Sequence, residues 1–246
     1  MLAGFHAVRS RLKMKADSVK EIYLDAARRD NRVKDLKAMA EKYGVRIITV
    51  EASRIDGMAG GARHQGVVAQ AEDLGMPQFV EDVLDALEAS GEPPLLLILD
   101  GVTDPHNLGA CLRAADGAGA HALIAPKDRS CGLTVAAIKV ASGAADSVPF
   151  IAVTNLARTL RELKDRGVFL AGADDAAPRT IFESPMDGPL GMVLGAEGEG
   201  LRRLTKETCD LLVSIPMLGT VESLNVSVAS GVCLYEARRQ RLLAKR

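Results

Sequence analysis

The chain has 246 residues, 48% apolar and 26% charged, and its 31 lysines and arginines face 32 aspartates and glutamates for a net charge of −1. That composition excludes a disordered chain, and the lack of any apolar run of roughly eighteen residues excludes a helical membrane span. What is left is a globular protein of one large or two small domains, expected in the cytoplasm because the first residues lack the apolar stretch and cleavage site of a signal peptide.

Residues 1–72 hold 14 basic and 9 acidic side chains. Short strands are predicted at 21–26, 45–50 and 65–72, with an amphipathic helix between the first two that ends at Gly44, so this segment reads as a small α/β domain. Residues 73–92 hold 6 acids and no base, and glycines and prolines punctuate both ends. This stretch reads as an acidic linker containing one helix, over 78–90. From Pro93 onward the pattern changes. Continuous apolar runs at 95–100, 121–126, 148–153, 168–172, 189–195 and 210–216 predict strands buried on both faces. Helical patterns at 107–119, 134–142, 154–166, 199–209 and 225–243 alternate with them, which predicts a mostly parallel sheet with helices on both sides. In such a sheet the ligand site lies beyond the carboxyl ends of the strands. The four cysteines, at 111, 131, 209 and 233, form no C-x-x-C pair, and the four histidines are scattered. A disulfide frame and a metal-centred mechanism are therefore not expected.

Three loops carry unusual chemistry. After strand 95–100 comes DGVTDPHNLGACLR, in which Asn107 suits a helix N-cap and Arg113 falls off the apolar stripe, pointing to solvent or into a cleft. The second loop, LGAEGEGLRRLT, places Glu197 among Gly195, Gly198 and Gly200, residues that permit positive φ and close main-chain approach; a ligand against main chain and a plain glycine-rich turn both fit. The third, SIPMLGTVESLNVSVAS, offers Ser223 or Asn225 as the cap of a terminal helix that would pack on the sheet or on a second subunit. The dinucleotide, P-loop and α/β-hydrolase fingerprints are all missing.

Taken in order, each after a predicted strand, Asn107 to Arg113, Gly195 to Gly200, and Ile215-Pro-Met to Ser223-Leu-Asn-Val-Ser resemble the three motifs of the SpoU/TrmH family of SPOUT methyltransferases. The stretches GFHAVRS and HQGVVAQ resemble the small L30e-like domain of members acting on 23S rRNA. The resemblance implies an L30e-like RNA-binding domain over 1–72, the acidic linker over 73–92, and a SPOUT catalytic domain over 93–246. The latter's mostly parallel sheet would be tied in a deep trefoil knot, an exception to the rule that chains do not thread themselves. It further implies a homodimer and S-adenosylmethionine as methyl donor to a guanosine ribose 2′-oxygen of large-subunit ribosomal RNA, with no metal.

By the same resemblance Arg113 stands at the hydroxyl, while Asn107, Glu197, Ser223 and Asn225 hold it or the ribose. Gly195, Ile215 and Leu224, with Gly198, Gly200 and Met217, hold the cofactor. A guanidinium with a pKa above about 12 is a poor base, so Arg113 is expected to position the substrate and stabilise developing charge. Arg9, Arg11, Lys13 and Lys15 form a basic run that either meets RNA phosphates or is an ordinary solvated helix face. The alternatives are a tRNA ribose methyltransferase of the same family and a non-catalytic RNA-binding or ribosome-assembly factor.

Overall fold

The computed structural model describes residues 1–62, 64–72 and 75–244; the first two residues of the acidic stretch and the last two of the chain lie outside it. The chain divides into two compact units, Met1–Met76 and Pro77–Arg246.

The first unit runs β1 (Leu2–Ala3), α1 (Phe5–Lys15), β2 (Val19–Asp25), α2 (Asn31–Lys42), β3 (Arg46–Val50), α3 (Ala52–Ala59) and β4 (Val67–Ala71). Its sheet has the order β1-β4-β2-β3, parallel between β2 and β3 and antiparallel elsewhere. Helix α2 begins where Asp30 caps it, its carboxylate accepting from the Val33 N–H at 3.2 Å. Helices α1 and α3 are not among the predicted elements, although a helix face is one of the two readings of the basic run in α1. In α1 the apolar positions Phe5, Val8 and Leu12 follow helical spacing and pack with Leu36 and Ala40 of α2 on one face of the sheet. Across the sheet, Ile55 of α3 packs on Tyr23 and Val68.

The second unit opens with α4 (Val80–Ser90), the helix expected in the acidic stretch. Its apolar face, Val80, Val83, Leu84 and Leu87, is built into the second unit's core, so this segment packs as a layer of that unit. There follow β5 (Leu95–Asp100), α5 (Pro105–Ala118), β6 (Ala122–Pro126), α6 (Val135–Ala141), β7 (Phe150–Val153), α7 (Leu156–Asp165), β8 (Phe169–Ala173), β9 (Leu190–Gly195), α8 (Arg203–Thr208), β10 (Leu211–Val213) and α9 (Val226–Ala244). Every pairing in the sheet β10-β8-β9-β5-β6-β7 is parallel. Strand β5 shows why its run is continuously apolar: Leu95, Leu97 and Leu99 face α5, α6 and α9, while Leu96 and Ile98 face α4 and α7. All six of its residues are buried.

Strand order reverses at β5, which has β6 on one side and β9 on the other. At the carboxyl ends, on the β9 side of that reversal, the loops after β8, β9 and β10 meet. Helix α9 crosses back over this face and is clamped at its far end by buried Arg241, whose guanidinium donates to the Pro93, Pro94 and Gly188 carbonyls at 2.6–2.9 Å.

Candidate active site

The loop after β5 is shaped by Asp104, not Asn107. Asp104 caps α5, accepting from the His106 N–H at 3.0 Å, and Pro105 takes the first helical position. The backbone bond from His106 holds the Asp104 carboxyl below its usual range. Asn107 thereby lies inside the first turn, with its side chain free for another partner.

That partner is Asn225, the residue before α9. The Asn225 Nδ2 donates to Asn107 Oδ1 and to Glu197 Oε1, both at 2.9 Å. Its Oδ1 accepts from the Ser227 N–H at 2.9 Å and from Ser227 Oγ at 2.6 Å. A main-chain N–H can only donate, which fixes the orientation of the amide. One side chain thus caps α9 and joins all three loops, and with both hydrogens and its oxygen engaged Asn225 is saturated. Glu197 Oε2, Asn107 Nδ2 and the Ser223 hydroxyl make no other bond among the described residues.

The loop after β9 returns on itself, Gly200 N–H donating to Ala196 O at 2.9 Å. A side chain at Gly195 would place its Cβ 2.0 Å from the Gly200 carbonyl carbon, so only glycine lets the two limbs close. Gly198 and Gly200 adopt φ of +78° and +65°.

Beneath this loop lies a cavity of about 370 Å³. Of the residues singled out in the sequence, Gly195, Glu197, Gly198, Gly200, Ile215, Met217, Ser223 and Leu224 line it. Asn225 adjoins it through its bond to Glu197, and Asn107 through its bond to Asn225. Sequence reasoning missed the loop after β8, where Ala173 to Ala176 supply one wall, and Lys206, which pairs with Asp174. Burial pushes the Asp174 carboxyl up, but the hydrogen bonds from Lys206 and the Ala176 N–H, with the Lys206 charge, together outweigh it and leave the group below its usual range. The signal available was positional: this loop, too, follows a parallel strand at its carboxyl end.

Arg113 lies elsewhere. It sits on the exposed side of α5, six residues and so two-thirds of a turn out of phase with Asn107, and has no hydrogen bond or ion pair among the described residues. Its neighbour one turn on, Gly117, packs against Tyr235 of α9, whose Oη would be 2.8 Å from an added Cβ.

In the first unit the basic run straddles the buried stripe of α1: Arg9 and Lys13 lie on one flank, Arg11 and Lys15 on the other. Arg9 is 4.0 Å from Asp35 and Arg11 donates to Glu72 O at 2.9 Å. Lys13 and Lys15 are exposed, without a partner among the described residues.

Fold and site together place the chain among parallel-sheet α/β proteins that offer a nucleoside-sized cavity at the switch point of the sheet. Residues 94–235 match the model of the SpoU rRNA methylase family, and residues 1–77 match the model described as RNA 2′-O ribose methyltransferase substrate binding. The chain belongs to the SpoU rRNA methylase family. It is 61% identical over 241 residues to the 23S rRNA (guanosine-2′-O-)-methyltransferase RlmB of Ralstonia nicotianae, covering 98% of this chain and 96% of that one. It is 51% identical to RlmB of Escherichia coli, covering 98% of each. Among solved structures it shares its fold with the SpoU methyltransferase AviRb of Streptomyces viridochromogenes in complex with AdoMet, at a TM-score of 0.66 and 23% identity over 98% of this chain and 90% of that one. It is also similar to the TrmH/SpoU tRNA modifying enzyme of A. aeolicus, with a TM-score of 0.57 and 29% identity over 67% of this chain and 85% of that one.

Proposed function

We propose that this chain is an S-adenosylmethionine-dependent RNA methyltransferase that modifies the 2′-oxygen of a guanosine ribose in 23S rRNA. The observation that carries this reading is the joining of three loops by Asn225 at the mouth of a cavity, in a chain 61% identical over nearly its whole length to a methyltransferase of that specificity.

The residues present fit the cofactor. The cavity is of nucleoside size, Gly198 and Gly200 bare its main chain, and Ile215, Met217 and Leu224 offer apolar contact. When bound, the cofactor supplies an electrophilic methyl on a sulfonium centre. The chain's own part is to bring the ribose oxygen into line with that methyl, and near-attack positioning of this kind is worth up to roughly 7–11 kcal/mol. Glu197, Asn107 and Ser223 retain the free polar atoms that can hold the ribose, while saturated Asn225 acts by holding Glu197 and Asn107. Arg113 donates to the target ribose or phosphate and stabilises charge developing on the attacking oxygen, and the proton leaves to a phosphate oxygen or water.

A homodimer completes the site. Val228, Val232, Tyr235 and Leu242 recur on α9 at helical spacing, and Val228, Tyr235 and Leu242 are more than half exposed. An apolar stripe of this kind suits a second copy of the same helix. Because Tyr235 packs beside Gly117, Arg113 stands at the edge of that stripe, where a residue serving the partner's cavity has to be. The strand order and the return of α9 over the β5 face support a knotted chain path.

Residues 1–72 capture RNA, led by Lys13 and Lys15, and residues 93–246 carry the chemistry. Ribosomal RNA as substrate places the protein in the cytoplasm; no described helix is long and apolar enough to cross a membrane. The test is labelled methyl transfer to total RNA from cells lacking the protein, followed by mapping. Label on a 23S rRNA guanosine ribose is expected, label in tRNA alone would overturn the rRNA reading, and no label with any RNA would overturn the enzyme.

A further inference from the structure

Taking a carboxylate out of water costs several kcal/mol unless a close partner compensates, and an apolar pair of the same size often serves stability as well or better. Asp100 is therefore out of place as scaffold. It ends β5 with 1% of its surface exposed. The other five strands of the sheet end on Pro126, Val153, Ala173, Gly195 and Val213.

Both Asp100 oxygens are committed to one residue. Arg202 Nε donates to Oδ1 at 2.6 Å, the Arg202 main-chain N–H donates to Oδ2 at 3.0 Å, and Nη2 also contacts Oδ1. Arg202 is the last residue before α8 and closes the loop that carries Glu197. The other end of that loop is anchored to the same place, since Asp100 stands opposite Gly195 in the β5–β9 register. Loop 196–201 thus leaves the sheet beside Asp100 and is brought back to Asp100. Past the ion pair the chain turns through Gly101, at φ +91°, into the segment that leads to Asn107. One buried carboxylate therefore lies at the root of the Asn107 segment and at the return of the Glu197 loop.

We propose that Asp100 and Arg202 form a positioning pair, fixing loop 196–201 and with it the height of the Glu197 carboxylate against Asn107 and Asn225. Asp100 is buried and touches no substrate; it acts through the loop. The Arg202 main-chain bond sets where the loop ends, and the guanidinium bond sets how its last residue is turned. This rests on the methyltransferase reading, and it adds residues that the three loop motifs do not include.

The test compares Asp100→Asn, Arg202→Gln and Arg202→Lys in the full-length protein, measuring kcat and KM for a 23S rRNA fragment, S-adenosylmethionine affinity by calorimetry, and thermal melting. Asp100→Asn is expected to lower kcat at least about tenfold, as small misplacements do, while the RNA KM stays within about twofold of wild type. Arg202→Lys is expected to recover part of the kcat lost in Arg202→Gln. A lowered melting temperature with kcat unchanged shows a scaffold pair and overturns the proposal. Should Asp100→Asn not fold, Arg202→Gln, which keeps the main-chain bond to Oδ2, carries the same comparison. Absence of methyl transfer by the wild-type protein would count against the methyltransferase reading itself and is distinguished by that control.

Discussion

At the scale of single residues, the site depends on how many hydrogen-bonding positions each side chain has left. Asn225 has none: two donors and one acceptor are spent on Asn107, Glu197 and Ser227. Asn225→Ala removes the join while leaving the cavity walls in place. We expect kcat to fall by about 10²-fold, in line with loss of fixed near-attack geometry. Helix capping is lost as well, at about 1 kcal/mol. Steady-state kinetics and thermal melting measured on the same preparation check both figures, and full activity in the variant would remove Asn225 from the site. Asn107 teaches a related lesson. Its type and place before an apolar helix read as a cap, but Asp104 three residues earlier, followed by Pro105, does that work.

At the scale of elements, the far end of the second unit is held by polar groups where β5, β6 and α9 converge. His121, just before β6, accepts the Leu95 N–H on Nδ1 at 3.0 Å, and its Nε2 is 3.4 Å from Glu92. Burial pushes the His121 pKa below its ordinary value of 6.5, Glu92 pulls it partly back, and nearby Arg241 and Arg238 push it down again. The folded state therefore binds its proton less readily than the unfolded chain. The associated stability is complete above pH 6.5 and is lost as the pH falls from there toward the depressed folded value. Denaturation midpoints measured between pH 8 and 5 should decline below about 6.5, and the decline should be smaller in His121→Gln. Equal slopes in the two proteins would show that other groups set the acid limb.

For the whole molecule, charge is distributed by unit. A net charge of −1 says little about an RNA partner, because partner choice depends on where charges sit. Lys13 and Lys15 are the cations of the basic run that have no partner among the described residues. Lys13→Ala/Lys15→Ala should weaken binding of an rRNA fragment and reduce the slope of log affinity against log salt by about 0.7–0.9 per lost phosphate contact. Cofactor affinity should be unchanged. A salt slope equal to wild type would show that α1 presents an ordinary solvated face. Much of this organisation was legible in the sequence. The continuous apolar runs marked five of the sheet's six strands nearly to their ends, and most sharply the fully buried β5 and β6, because a strand covered on both faces has no polar alternate positions. Helices α1 and α3 were not legible: α1 hides its Phe5, Val8 and Leu12 stripe within a basic run, and α3 buries Ile55 alone among its residues. Burial and periodicity, which are local properties of the chain, determined the parallel α/β architecture and pointed to the carboxyl ends of its strands for a ligand site, while the three loops of the candidate site were marked by their resemblance to the family's motifs. Tertiary structure alone decided that Asn225 joins those loops, that Asp100 pairs with the residue closing the Glu197 loop, and that Arg113 is exposed and outside the cavity lining. Those facts depend on strand order and on where α9 returns, and neither is written in the period of any segment.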